Sequence, residues 1–269
     1  EPDNAGLDSF DTDGFTIDAL EWLADVNILG RTYVAWNWKA NGTAVSNTDG
    51  TITSSVSANP TAGFSVVTWD GTGSNGTIGH GLGIAPAFLI IKNRNNVGNW
   101  RVWCKAFNGD QYLMLQTTAA VASQAILFNS TIPSSSVISA GTSGDINWAG
   151  RNYVAYCFAD VEGYSKFGSY TGNGSADGPF VYTGFRPAWI MVKAYSQVGN
   201  WFIMDATRDP YNVATQRLFA NLTNAEDSAG LVDFTSNGFK LRMPSALNDS
   251  ANYIYMAFAE NPFKNSLAR

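Results

Sequence analysis

Residues 71–100, GTGSNGTIGHGLGIAPAFLIIKNRNNVGNW, return without a gap as residues 172–201, GNGSADGPFVYTGFRPAWIMVKAYSQVGNW. Eleven of the thirty aligned positions are identical. Unrelated windows share about two at ordinary residue frequencies. The chain is therefore built from a duplicated unit, and any fold proposed for it must place one supersecondary unit twice. The kept residues are Gly71, Gly73, Ser74, Gly83, Pro86, Ala87, Lys92, Val97, Gly98, Asn99 and Trp100. They are turn formers, a strand core and one Trp, with no catalytic set among them.

The duplication sets the boundaries. Residues 63–160 form the first complete unit and residues 161–269 the second, with a polar tail over 264–269. An aromatic run, RNYVAYCFAD at 151–160, closes the first unit and is echoed by NYIYMAFAE at 252–260. A third echo, RTYVAWNWK at 31–39, has no opening half before it. Residues 1–43 thus read as the closing half of a unit, and the strand at 33–38 is expected to pair with something, because an orphan strand exposes its edges. The chain opens on Glu1 rather than Met, which suits a fragment or a processed product. Residues 44–62, rich in Ser, Thr and Asn, read as a linker or long surface loop.

Period-two alternation predicts strands at 64–69, 87–92, 100–106, 112–116, 125–129, 136–140 and 152–159 in the first unit. In the second it predicts strands at 165–170, 188–193, 201–205, 230–234, 239–242 and 253–259. Residues 117–124 suit a short helix, and 209–227 hold the best helix or loop candidate. So many short strands between Gly-rich turns predict an all-β fold of tandem antiparallel β-sandwich units, jelly-roll or lectin-like, with short loops and few helices.

Composition narrows the function. Charged residues are only 14%, and the net charge is −6. Phosphate binding needs a basic face, so nucleic acid is not expected as a partner. No apolar run is long enough for a membrane-spanning helix, and no membrane insertion is expected. Cys104 and Cys157 lack counterparts in the other repeat, where Asp205 and Ala257 stand. They read as two buried free thiols rather than a bridge. One histidine and two separated cysteines make no zinc site, and no cofactor is expected. Asp3, Asp8, Asp11 and Asp13 cluster around an Asp-Thr-Asp-Gly turn. Asp11 and Asp13 are a weak calcium candidate, weak because no Glu closes an EF-hand loop. His80 is replaced by Val181 in the copy, and no Gly-x-Ser-x-Gly elbow accompanies it. The glycines at 71–83 lack the Lys-Ser/Thr of a phosphate loop. The reading is of a protein that is not an enzyme.

The aromatic excess, 13% of the chain, is the most informative feature. Most of these residues belong in the core. A Trp or Tyr left exposed beside Asn and Asp is suited to stacking on a sugar face while polar groups bind its hydroxyls. Positions that the copies change, or where loops carry such side chains, are the candidate ligand-binding residues: Trp69, Asn75, His80, Arg94, Asn95, Trp148, Arg186, Tyr195 and Gln197.

The string HGLGIAPAFLIIKN at 80–93, with YVAWNWKANG at 33–42, the run 153–193 and AFAENPF at 257–263, resembles tail-fibre and tail-spike proteins of bacteriophages. The resemblance spans nearly the whole chain, repeats within it and brings no enzymatic signature. It implies a place on the virion, as an extracellular appendage, and a role in host attachment as a homo-trimer or higher assembly. It carries over no residue-level site. The expectation is a non-enzymatic attachment module binding a host-surface glycan or envelope component. A purely structural virion or filament subunit and a polysaccharide depolymerase are the alternatives.

Overall fold

The structure is a computed structural model of the chain and describes residues 7–17 and 26–261. Asp3 and the tail 264–269 lie outside the described residues. Two compact units separate, residues 1–38 and residues 39–269.

In the first unit β1 (Leu7–Phe10) and β2 (Phe15–Ile17) form an antiparallel hairpin. Its turn is tied by the Asp11 side chain, whose two oxygens accept from the Ser9 hydroxyl at 2.9 Å and the Thr16 hydroxyl at 2.8 Å. Residues 31–39, expected as a strand, form none. Tyr33 is 48% exposed. The cause is plain in the two copies of this run. Both are central strands bonded along both edges, and here neither neighbour is present within the described residues.

The second unit opens with β3 (Val45–Asn47), β4 (Ser54–Asn59), β5 (Phe64–Asp70), β6 (Gly76–Gly79), β7 (Phe88–Asn93), β8 (Arg101–Cys104), β9 (Gln111–Met114) and β10 (Ala122–Ser123). After these come the single turn α1 (Ala125–Phe128), β11 (Val137–Ala140) and β12 (Asn152–Phe158). Eight of these strands make one sheet in the order β10-β9-β8-β7-β12-β5-β4-β3, and β11 pairs β6. The second repeat runs β13 (Ser165–Thr171), β14 (Phe180–Tyr182), β15 (Pro187–Ala194), β16 (Trp201–Asp205), β17 (Ala214–Phe219), β18 (Asp227–Thr235), β19 (Gly238–Leu241) and β20 (Asn252–Ala259). Their order is β13-β20-β15-β16-β17-β18-β19-β14. Every ladder between these named strands is antiparallel. The second sheet curls on itself. Ile190 and Val192 of β15 share one core with Leu231, Val232 and Phe234 of β18 and Phe239 and Leu241 of β19. The fold is all-β and sandwich-type, as the alternation predicts.

Four local expectations fail. Residues 44–62, read as linker or loop, contain β3 and β4, which extend the sheet beyond β5. Val56 points inward while Ser55 faces out, so a strand with little apolar content still has one buried face. The strand expected at 125–129 is the turn α1. Its Leu127 and Phe128 are buried, and Asn129 caps it in the left-handed conformation, φ 50°. The helix considered at 117–124 is instead a turn followed by β10. Within 209–227 the element is β17, not a helix.

The repeated residues now have physical reasons. Buried Asn147 donates to Ser74 O at 2.6 Å and to Gly141 O at 2.9 Å, and accepts from Thr72 N–H at 2.9 Å. Buried Asn248 does the same with Ser175 O at 2.6 Å, Met243 O at 3.0 Å and Asn173 N–H at 2.9 Å. The Gly-x-Gly-Ser turns wrap these two amides. A Cβ on Gly71 would stand 2.2 Å from Trp148 O, and one on Gly172 2.1 Å from Asp249 O. Gly83 and Gly184 are kept for another reason, φ values of +74° and +89°. Cys104 and Cys157 are free and buried, and burial pushes both thiols up to about 12.

The two repeats join in two places. At one, the rings of Phe88, Phe158, Phe167 and Phe258 meet at centroid distances of 5.9–6.1 Å. At the other, the stretch of repeat 1 that leads from β9 to β10 lies against the turn of repeat 2 between β15 and β16. Trp201 Nε1–H donates to Met114 O at 3.1 Å, Gly199 N–H and the Lys193 ammonium donate to Thr118 O at 2.9 and 3.3 Å, and Val121 N–H donates to Tyr195 O at 2.8 Å.

Candidate functional site

The hairpin β3–β4 turns one end of the first sheet into a cleft. Register places Ser46 opposite Ser55, and Ser55 opposite Thr68. Side chains directly across a ladder share a face, so these hydroxyls stand in a row. Two residues along β5, Asp70 is opposite Asn152 of β12, and their side chains are hydrogen-bonded. Arg94 follows in the turn after β7, its N–H on Asn152 O at 2.8 Å. Asn95 locks this corner, donating to the Asn152 side chain at 2.9 Å and accepting from Asn152 N–H at 3.0 Å. The cleft between these groups holds about 370 Å³.

Beneath it sit Trp69 and Tyr153, both buried and stacked at 5.5 Å with 19° between the rings. Trp69 Nε1–H donates to Ile146 O at 3.1 Å, and the Tyr153 hydroxyl accepts from Trp148 N–H at 2.8 Å and donates to Gly144 O at 2.9 Å. These bonds fix the loop 144–151 against the buried face of the sheet, at the end of β5 and β12. On that loop Trp148 is 54% exposed, and the Arg151 guanidinium lies 5.8 Å from its ring centre. Arg151 continues the β5–β12 ladder one step past the Asp70–Asn152 pair, its carbonyl accepting from Gly71 N–H at 2.8 Å.

The structure thus brings two of the sequence candidates, Trp69 and Arg94, into the lining of one cleft; Asn95 is bonded to its Asn152, and Trp148 lies on the loop that leads into β12. Trp69 is floor rather than stacking surface. Asn75 is tied to the Asn129 side chain at 3.0 Å. His80 is fully buried: its Nδ1 accepts from Leu82 N–H at 3.2 Å and its Nε2 faces Ser134 O at 3.2 Å, and burial lowers its pKa below 6.5. It holds a turn and is not available to a ligand. Arg186 pairs with Glu260 at 2.9 Å and donates to Phe234 O at 2.7 Å. Tyr195 packs edge-on against Phe107 at 5.5 Å, and Gln197 donates to Asp249 at 3.3 Å. The repeat 2 candidates therefore do structural work and do not meet the others. Asp11, the calcium candidate, has both oxygens engaged by hydroxyls. Among the described residues no group of three metal-ligating side chains assembles.

Sequence reasoning missed Ser55, Thr68, Asp70 and Asn152. A signal was present in the alternation Ser54-Ser55-Val56-Ser57-Ala58, whose polar face is the cleft wall. Among the described residues repeat 2 does not rebuild this cleft. In repeat 2, Tyr170, Thr171 and Tyr195 replace Trp69, Asp70 and Arg94, and β13 ends its sheet with no hairpin beyond it. A second, more apolar hollow of about 270 Å³ lies between Ile84, Pro86, Trp103 and Ile132, rimmed by the Lys105–Asp160 ion pair.

Chemically the cleft offers hydroxyls, one amide, one carboxylate and one guanidinium. Such groups hold polyhydroxylated ligands. Paired-carboxylate glycoside cleavage needs two acids about 5–10 Å apart, and the lining supplies one, Asp70.

The chain belongs to the family described as Domain of unknown function (DUF7483), whose sequence model matches residues 1–262. No curated protein and no solved structure matches it.

Proposed function

We propose that this member of the DUF7483 family is a non-enzymatic attachment module of a virion appendage of the bacteriophage tail-fibre type, and that the repeat 1 cleft binds a host-surface glycan. The observation that supports the reading most is the polar Asp70–Asn152–Arg94 corner of the cleft, with an exposed indole, Trp148, on the loop that leads into β12. Neutral and charged hydrogen-bonding groups recognise sugar hydroxyls, and an exposed indole covers the apolar face of a pyranose. A single small cleft binds weakly, and attachment then gains strength from several copies acting together. The resemblance to tail fibres supports an extracellular place on the virion.

A glycan array on the isolated chain, followed by calorimetry with the best ligand, tests this. Asn152→Ala and Trp148→Ala should each weaken binding roughly tenfold, about the loss of one good contact, without releasing reducing ends from the ligand. Absence of binding to any host polysaccharide overturns the reading, and release of reducing ends turns it into that of a depolymerase.

A further inference from the structure

The contact between the repeats is heterologous: the inserted element, the docking donor, is the stretch after β9, whose Met114 and Thr118 carbonyls accept the hydrogen bonds, and the docking acceptor is the face around the β15–β16 turn, whose Lys193, Gly199 and Trp201 give them. Both halves of this contact are duplicated, but each repeat uses only one of them inside the chain.

The acceptor recurs in repeat 1 as Lys92, Gly98 and Trp100, three of the residues the copies keep. In repeat 2 their counterparts are covered. Lys193 and Trp201 are 0% and 1% exposed, and desolvation lowers the Lys193 ammonium to about 8. In repeat 1 the same surface is only half-buried at Lys92 and Trp100, and the Lys92 ammonium turns back onto Gly98 O at 3.0 Å. The donor recurs in repeat 2 as residues 219–226. Two bonds anchor the equivalence. Leu115 N–H donates to Trp100 O at 3.0 Å as Ala220 N–H does to Trp201 O at 3.1 Å. Trp100 N–H donates to the Gln116 side chain at 3.0 Å as Trp201 N–H does to that of Asn221 at 2.9 Å. Thr223 therefore corresponds to Thr118 and Glu226 to Val121. The residues between are exposed, Leu222 at 39%.

We propose that these two unused halves fit each other between molecules: the 219–226 stretch of one chain docks on the Lys92–Gly98–Trp100 face of a second copy, giving head-to-tail association. Thr223 O takes the place of Thr118 O, accepting from Gly98 N–H and the Lys92 ammonium, and Phe219 O accepts from the Trp100 indole. The occupant is a second copy because counterparts of both surfaces already meet inside one chain, with Lys92, Gly98 and Trp100 kept on the receiving face and Thr223 and Ala225 kept on the stretch that docks.

Sedimentation velocity over a concentration series tests this on the full chain. Association should rise with concentration. Lys92→Met on the acceptor and Ala225→Arg on the exposed donor loop should each weaken it roughly tenfold or more, with thermal unfolding confirming that both variants fold. An equimolar mixture of the two variants should recover a complex, since one keeps its donor and the other its acceptor, while the double variant should not. A chain that stays monomeric at high concentration overturns the proposal. So does association that neither substitution weakens, or a mixture that recovers nothing.

Discussion

Among single residues, the duplicated glycines separate into two kinds with different expected costs. Gly172→Ala drives a Cβ to 2.1 Å from Asp249 O, a backbone atom that cannot step aside. It should cost about 3 kcal/mol, the upper end for overpacking. Gly83→Ala meets nothing within 4 Å and pays only for its left-handed φ of +74°, about 1–2 kcal/mol. Denaturant midpoints of the two variants check the difference, and equal losses would contradict the steric account. His80 gives a second test at this scale. Its folded pKa is lowered by burial from 6.5, so below 6.5 the unfolded chain binds the proton that the folded chain refuses. Stability should therefore fall as pH drops through and below 6.5. As the chain has one His, a single imidazole signal in an NMR titration reports it, and a midpoint at or above 6.5 would contradict the buried neutral ring.

The strands show how much of the fold was legible in the sequence. The elements that read correctly, such as β5, β7, β12 and β16, are runs rich in aromatic and branched residues that end on turn residues. Burial there is decided by the strand's own pattern. The misread elements depend on neighbours. β4 is Ser-rich and exists because β5 presents an edge to it, and β17 is carried between β16 and β18. Residues 31–39 have a strand's pattern and no strand, for the opposite reason. The candidate site divides in the same way. Trp148 and Arg94 were legible as exposed loop side chains, whereas Asp70 and Asn152 gain meaning only from a register that pairs residues far apart in the chain. The Asn147 and Asn248 amides were invisible as a pair because their neighbours differ, Trp148 in one copy and Asp249 in the other.

At the scale of the whole molecule, residues 39–269 form one compact unit in which each repeat still closes its own sheet, the aromatic joint and the β9–β10 stretch holding the two together. Within it, each repeat places its last strand at the interior of its sheet. β12 lies between β7 and β5, and β20 between β15 and β13. Truncation after residue 251 removes β20 and should leave repeat 2 open to protease while a resistant piece covering residues 39–160 survives. Uniform resistance, or loss of both repeats together, would contradict independent closure of repeat 1. The same arrangement sets an order in time. During synthesis β5 and β7 emerge early but have no strand between them until β12 appears, and β13 and β15 wait likewise for β20. Each repeat must hold two unsatisfied edges apart until its final strand leaves the ribosome, so its closure is late, non-local and slow. The aromatic run that ends each of the two complete repeats is the piece whose arrival converts a loose set of hairpins into a sheet.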